Sequence, residues 1–559
     1  MKCLRLATVF LLIIWTKTSW AQSDFIMLGT RQYDVLNRLE IKLRRDSILN
    51  FSAVKPYDRK AVTERLQYIQ QLANEGKIEL SKVDKYNLDI VLKDNFEWRN
   101  GFADSSLKFS SLFKKSIWSH PPYIGLKQKD FSAYVFPLLN LQLGKDNNVS
   151  NTLYTNQRGF GVRGTLTKRV GYYTYFTSNQ EVDPLYVQQY SNKYSAIPGA
   201  GYIKHIGTNG FDYFDARGGL MVNAAKGIDL QFAYDKVFIG NGYRSLILSN
   251  FSNSFLYLKA NFHFWKLNYY NLFAQQIATH VVGPDYEYPK KYMTFHMLEY
   301  NAKSFTLGFY ENIMFGRSNG YELAYLNPFI LSNQMQRDLG SPDKATIGFN
   351  AKWNISKSVQ LYGQFVINEF LMKEFLKPKN GYWANKQAYQ IGLKKIDLFT
   401  VKNLDLQLEA NFIRPFVYTH YDSVSAYTHY NQPLAHPLGA NLREFISILK
   451  YQPANKLSLE AKVIYTEQGL DSAGVNMGSN IFELYTTRPR DYGFFIGTGI
   501  LAKTFTFSGT VTYEFSPNIF LDVNMRYRKY SQADGLNTLN SSIFNASLRI
   551  NLGRREFDF

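Results

Sequence analysis

Leu404-Asp405-Leu406-Gln407-Leu408-Glu409-Ala410-Asn411-Phe412 alternates apolar and polar residues along its whole length. A β-strand turns successive side chains to opposite faces, so this alternation describes a strand with one apolar and one polar face. The same pattern returns at 256–264, 456–463, 521–528 and 544–552, and it runs to the end of the sequence. From about Phe131 onward, roughly 18 to 20 such segments of about ten residues can be counted, the length of a tilted strand that crosses a bilayer. Short turns join many of them in pairs, as at 353–357 and 515–518, and longer Tyr- and Asn-rich connections fall at 180–210, 275–290, 317–343, 414–440 and 467–490. Short turns at one end and long loops at the other are the asymmetry of an outer-membrane barrel, and the even strand number such barrels favour makes 18 the expectation.

A soluble sandwich or propeller could show the same alternation, with its apolar face against a partner sheet. Strand length, the aromatic load and the terminal Phe559 favour the barrel. The 559 residues include 43 Phe and 41 Tyr, enough to furnish aromatic girdles at two membrane interfaces. That load excludes a disordered chain, and a single Cys excludes a disulfide scaffold. Mean hydropathy of −0.28, with no long unbroken apolar run in the mature part, argues against a helical membrane protein.

Lys2 and Arg5, the apolar run Leu6 to Trp15 and the small residues around Ser19 and Ala21 read as a secretory signal peptide over 1–21. Cys3 falls inside it, so the exported chain is expected to hold together without disulfides. Residues 22–130 form a helical segment and linker ahead of a barrel over 131–559. Within that segment Asp58 is a good N-cap for the helical spacing of Val62, Leu66, Ile69 and Ala73, which Gly76 stops. Ser81 and Asp84 have the spacing of a capping box, and 33–45 reads as a further helix. So small a unit buries little by itself and is expected to pack against something larger.

Catalytic signatures are not evident: no GxSxG elbow, HExxH or P-loop occurs. His420, His429 and His436 fall close together, but their spacing matches no zinc pattern, and a polar aromatic loop is the simpler reading. No metal, cofactor or enzymatic activity is expected. The formal net charge of +19 favours polyanionic partners, which at an outer surface means acidic polysaccharide or lipopolysaccharide rather than nucleic acid.

Three stretches resemble the Wzi capsule-assembly family of outer-membrane proteins, in particular its Bacteroidetes-type versions, some of which serve gliding motility. They are Lys236-Val-Phe-Ile-Gly-Asn-Gly-Tyr-Arg-Ser-Leu-Ile-Leu-Ser249, Phe315-Gly-Arg-Ser-Asn-Gly-Tyr-Glu-Leu-Ala-Tyr-Leu-Asn-Pro-Phe329 and His429-Tyr-Asn-Gln-Pro-Leu-Ala-His-Pro-Leu-Gly-Ala-Asn-Leu-Arg-Glu444. The resemblance implies an 18-stranded outer-membrane barrel whose N-terminal helices block the periplasmic mouth. It also implies a lectin-like, non-catalytic role in holding surface polysaccharide. The rival roles are an anion-preferring porin and a motility or adhesion component that displays loops to other cell-surface proteins. Within these stretches the candidate glycan-binding residues are Arg244, Arg317, Asn319, Glu322, Asn327, His436, Asn441 and Glu444. Arginines would pair with glycan carboxylates and asparagines with hydroxyls. The alternative for each is an internal network that braces the lumen. Gly240, Gly242, Gly320, Pro328, Pro433, Pro437 and Gly439 read as turn residues.

Overall fold

A computed structural model describes residues 23–99, 124–167, 170–279, 287–317, 320–328, 332–340, 343–472 and 474–559. The expected signal peptide and residues 100–123 of the expected linker lie outside the described residues.

The alternating segments form a closed antiparallel barrel of 18 strands. They are β1 (Phe131–Asp146), β2 (Leu153–Leu166), β3 (Val170–Val182), β4 (Gly210–Ala225), β5 (Ile228–Asp235) and β6 (Phe255–Phe264). Next come β7 (Leu267–Ile277), β8 (Lys290–Ala302), β9 (Phe305–Phe315), β10 (Lys344–Asn354), β11 (Val359–Glu369) and β12 (Lys386–Lys395). The last six are β13 (Leu404–Ile413), β14 (Leu442–Ala454), β15 (Leu457–Leu470), β16 (Ile500–Ser516), β17 (Ile519–Gln532) and β18 (Thr538–Ile550). Each strand pairs with the next, and β18 closes on β1 from Ile543↔Asp146 to Ile550↔Leu139.

Register fixes which face each residue occupies. On β17, Leu521, Val523, Met525 and Tyr527 point outward and are exposed, while Asp522, Arg526 and Arg528 point inward and are buried. The outward face is therefore an apolar band, and the polar half of the pattern lines the lumen. Exposed Phe264, Trp265, Phe305, Trp353 and Phe515 gather beside the short turns, and Phe214, Tyr389 and Phe445 lie toward the other end. These are two aromatic belts of the kind that membrane interfaces select.

Turns 226–227, 265–266, 303–304, 355–358, 455–456 and 517–518 close one end of the barrel. Connections 183–209, 236–254, 316–343, 370–385, 414–441 and 471–499 crowd the other. Two of these long connections, 236–254 and 370–385, are absent from the sequence reading, because their apolar content resembles strand.

Among the described residues three α-helices precede the barrel: α1 (Gln32–Leu43), α2 (Arg59–Asn74) and α3 (Lys82–Asp94). Asp58 caps α2 by accepting from the Ala61 amide at 2.6 Å. The Ser81 hydroxyl and Asp84 carboxylate exchange capping bonds at the start of α3. Leu36, Leu39, Leu66, Ile69, Leu88 and Val91 form the unit's own small core. The unit sits in the short-turn end of the lumen. Ser81 donates to Asn403 (2.7 Å), Asn87 to Gln452 (2.8 Å), and Asn518 to Asp94 (3.0 Å). Arg38 is the densest tie: its guanidinium meets Asp84 of its own unit (2.6 Å), Asp397 (2.6 Å) and Asp405 of the barrel. Lys352 of β10 meets Glu40 at 2.5 Å, and Arg163 of β2 meets Glu97 at 2.7 Å.

The far end of the chain differs from the sequence expectation. Strand pairing stops at Ile550, and 551–559 turn back up inside the lumen. Phe559 is thus no member of an interface girdle; its ring packs within the barrel against Tyr186, Tyr190 and Phe251.

Breaking a largely buried ion pair on one side costs about 3–5 kcal/mol. Arg38→Ala is therefore expected to loosen the helical unit and leave the barrel closed. Limited proteolysis should cut within 23–99 of the variant while the heat-modifiable gel shift of the folded barrel is unchanged.

Candidate functional site

Among the described residues three inserts meet in the lumen besides the helical unit and part of the connection 183–209, and the first is the connection 236–254. Phe238 and Ile239 pair with Val54 and Lys55, so the helical unit and this connection share a two-stranded sheet inside the barrel. Beyond it the main chain approaches the wall closely. The Tyr243 and Arg244 amides donate to the Glu409 carboxylate at 2.7 and 3.0 Å. Gly242 is required at this contact, because a Cβ there would strike the same carboxylate. Its role is close approach rather than a turn. Gln364 accepts from the Leu246 amide (2.8 Å) and donates to the Ile239 carbonyl (3.0 Å).

The second insert is the connection 414–441, which covers the first. The Tyr418 and Tyr427 hydroxyls donate to the carbonyls of Leu246 and Ile247, both at 2.7 Å, and the Ser249 amide donates to Leu434. Val237, Leu246, Leu248, Val417, Leu434 and Ala435 join Met293, Phe295 and Met297 of β8 in the main core. On this side the lumen is packed solid.

The third insert is the tail 551–559, and its charges are paired residue by residue. Arg554 meets Glu460 (2.8 Å), and Arg555 meets Glu181 (2.6 Å). Asp558 meets Lys462 and Arg526, both at 2.8 Å, and Lys462 also meets Glu556. Burial would raise the Asp558 carboxyl, but the Lys462 ammonium and Arg526 guanidinium overcome it and hold the group well below the usual carboxylate range.

Arg244 meets His436 and Glu444, which lie far along the chain from it, where the three inserts join. Glu444, wholly buried, accepts from Arg244 Nη2 at 3.0 Å and from His436 Nε2 at 2.8 Å. Arg244 also donates to the Asp558 carbonyl. The Leu438 amide faces His436 Nδ1, so the partners assign the proton to Nε2. Asn441 is buried as well: its amide nitrogen donates to the Gly469 and Thr498 carbonyls, both at 2.7 Å, and its oxygen accepts from the Gly497 amide. At φ 58° it holds a backbone conformation that Asn tolerates.

The second motif lies elsewhere, on the outward wall of β7 to β10. Arg317 grips Asp343 through two 2.7 Å bonds and stands 3.6 Å from Glu322, and Tyr325 donates to the same Asp343. Tyr321 and Tyr325 pack with Tyr292, Ile313 and Phe315 in a separate cluster. Asn327 is exposed at the end of that strap, and Asn319 lies outside the described residues. Arg317 and Glu322 thus belong to a different place from Arg244, His436 and Glu444.

The three clustered histidines also separate. His429 Nδ1 accepts from the Ile277 amide and Nε2 donates to the Ser254 carbonyl, both at 3.0 Å. His420 stacks on Tyr421 with ring centres 4.3 Å apart. Among the described residues no group of three or more His, Cys, Asp or Glu is placed to hold a metal ion.

A cavity of about 670 Å³ remains between the helical unit, the tail and the walls of β12 to β18 and β1 to β4. Thirteen basic and seven acidic residues line it, so its surface favours anions. Burial holds Lys55 well below the usual ammonium range and Lys236 down to about 7, so these two add little to that excess. Sequence reasoning missed this chamber because its lining comes from strands, tail and helices that no local pattern connects.

No family model matches the chain, and no curated protein matches it either. Among solved structures the chain is similar to Wzi, an outer-membrane protein involved in group 1 capsule assembly in Escherichia coli and a carbohydrate-binding β-barrel. The TM-score is 0.55 and the identity 13%, over 96% of this chain and 100% of that one. It is also similar to OprD of Pseudomonas aeruginosa (TM-score 0.41, 11% identity, 75% of this chain and 94% of that one). A further likeness is to OccAB2 of Acinetobacter baumannii (TM-score 0.40, 7% identity, 75% and 97%). The likeness to Wzi concerns the fold.

Two outcomes follow from this geometry. Glu444→Gln leaves Arg244 buried without its carboxylate, a loss of about 3–5 kcal/mol. Hydrogen exchange should accelerate in 236–254 and 551–559 while the strand amides stay protected. The second outcome concerns pH. Burial first, and nearby lysines next, push His420 down to about 3; burial pushes His429 down to about 4, both from 6.5. Between pH 6.5 and about 4 the unfolded loop binds protons that the folded loop refuses, so the loop's stability falls as pH drops through that window. Protection factors in 414–441, taken relative to the intrinsic exchange rate at each pH, should fall from pH 7 to pH 4, with a smaller fall in His429→Gln.

Proposed function

We propose that this chain is an outer-membrane barrel that holds polysaccharide at the cell surface, without catalysis and without an open channel. One observation carries the reading. The helical unit, two infolded connections and the tail occupy the lumen and are tied to one another and to the wall by buried ion pairs. A porin needs the opposite: a polar lumen left to water. The apolar outward band and its aromatic belts suit a bilayer, with the short turns in the periplasm and the long connections outside. Support for polysaccharide as the ligand comes from the fold shared with Wzi and from the basic lining of the chamber, which favours an acidic chain. Outer-membrane lipid and lipopolysaccharide surround the band. Within the lumen Arg244, His436, Glu444 and Asn441 brace the inserts, and they serve binding by keeping the outer loops in place.

The test is polysaccharide retention in a deletion strain, with cell-attached and released material measured with and without the gene restored. More released polymer of unchanged length is the expected result; no shift between the fractions overturns the reading. In planar bilayers the purified protein should show conductance far below that of an open 18-stranded porin. A porin-like conductance would establish the transport alternative.

A further inference from the structure

Three long connections meet at the outer end of the barrel, away from the lumen network. Backbone bonds knit them together: Trp383 to Asp491 (3.0 Å), Phe494 to Gly381 (2.9 Å) and Tyr485 to His420 (3.3 Å), each amide donating to the second residue's carbonyl. The Arg414 guanidinium secures the junction from below, donating to the carbonyls of Asn385 (2.7 Å), Tyr382 (3.3 Å) and Phe494 (3.2 Å).

This frame links five aromatic rings in succession, each inclined to the next by 38° to 74°. Tyr492 and Tyr382 stand 5.4 Å apart, Tyr382 and Trp383 6.1 Å, Trp383 and Tyr485 4.8 Å, and Tyr485 and Tyr421 6.4 Å. The ends of the row are open, with Tyr492 48% and Tyr421 42% exposed. Its middle is stiffened by cations. Arg488 lies 3.8 Å over Trp383, and Lys386 lies 3.8 Å over Tyr485 while paired with Glu369. Asn385 Oδ1 and Gln387 Nε2, on either side of Lys386, are buried without a hydrogen-bond partner among the described residues. Arg490 is exposed beside the row, donates weakly to the Gly493 carbonyl (3.4 Å) and has no carboxylate partner among the described ion pairs.

Exposed rings in a row usually cost solubility, and apolar side chains at a loop tip would ordinarily fold away. A ring face complements the C–H face of a pyranose, while the hydroxyls around the sugar's rim need donors and acceptors at its edge. The two open rings stand at opposite ends of the succession, so they fit a chain of sugars rather than a monosaccharide. We propose that the open rings Tyr492 and Tyr421, held in place by Tyr382, Trp383 and Tyr485 between them, form a platform that seats pyranose units of a surface polysaccharide, with Arg490 taking a hydroxyl or carboxylate at its edge. This inference rests on the polysaccharide reading above and adds a site on the outer loops, besides the basic chamber, at which the chain is held.

The test uses the full-length protein folded in detergent, with polysaccharide released from the surface of the producing cells as the probe. Binding is followed by affinity electrophoresis. The double variant Tyr492→Ala/Tyr421→Ala truncates exposed rings and should bind at least about tenfold more weakly. Hydroxyl-radical footprinting of the unaltered protein gives a second readout that needs no variant: Tyr492 and Tyr421 should be protected by the polysaccharide. Binding that survives the double variant, with no protection of these rings, overturns the platform and leaves the polysaccharide reading standing. If the unaltered protein does not bind the polysaccharide, both fall together.

Discussion

A closed barrel of 18 strands encloses more space than its own inward side chains can fill. Everything else in this structure answers that geometric constraint. Water could occupy the space, as in a porin; here the chain occupies it with its own helices, two connections and its tail. The choice has an electrostatic consequence. The inward face of every strand carries charges and amides, and covering them with protein removes the water that would have solvated them. Each insert therefore arrives with matching groups: Arg38 for Asp397 and Asp405, the amides of 243–244 for Glu409, and Asp558 for Lys462 and Arg526.

Such pairs add little net stability compared with an apolar core of the same volume, because desolvation offsets most of the Coulomb attraction. Their value here is specificity. An apolar insert could settle against the lumen wall in many registers, and a buried Glu444 that needs both Arg244 and His436 admits one. That junction joins the first and second inserts directly and reaches the third through the Asp558 carbonyl. A disturbance of any one insert is thereby felt by the other two.

The wall was legible in the sequence because its cause is local. Period-two alternation, as at 404–412 and 521–528, follows from the geometry of a single strand, and strand number follows by counting. The helices were legible for the same reason, since Asp58, Ser81 and Asp84 act within one turn of where they stand. The lumen was legible only in part. The motif residues Arg244, His436 and Glu444 do converge, but their partners Asp558 and Asn411 carry no local signal. Residues 544–552 kept the strand pattern past Ile550, although pairing ends there, because alternation reports amphipathicity and not hydrogen bonding. Phe559 favoured a barrel in the sequence, but its place among Tyr186, Tyr190 and Phe251 inside the lumen carries no local signal. The second motif, around Arg317, gave no sign that it lies on the outward wall, since its aromatic residues would suit either face.

The filled lumen and the aromatic row at the outer end are physically connected. Loops rich in Tyr and Asn above an open channel would move freely, and ordering them on a ligand would cost conformational entropy for every residue fixed. Here the connection that carries His420 and Tyr421 is the one whose other half is clamped inside the barrel by Tyr418, Tyr427 and His436. The connection that carries Tyr485 and Tyr492 is held to it by Gly478 and Gly497, whose contacts reach Phe416 and Asn441. Ordering of the outer rings is thus completed during folding, by the same network that closes the lumen. Closing the lumen and stiffening the outer surface are thus a single structural solution.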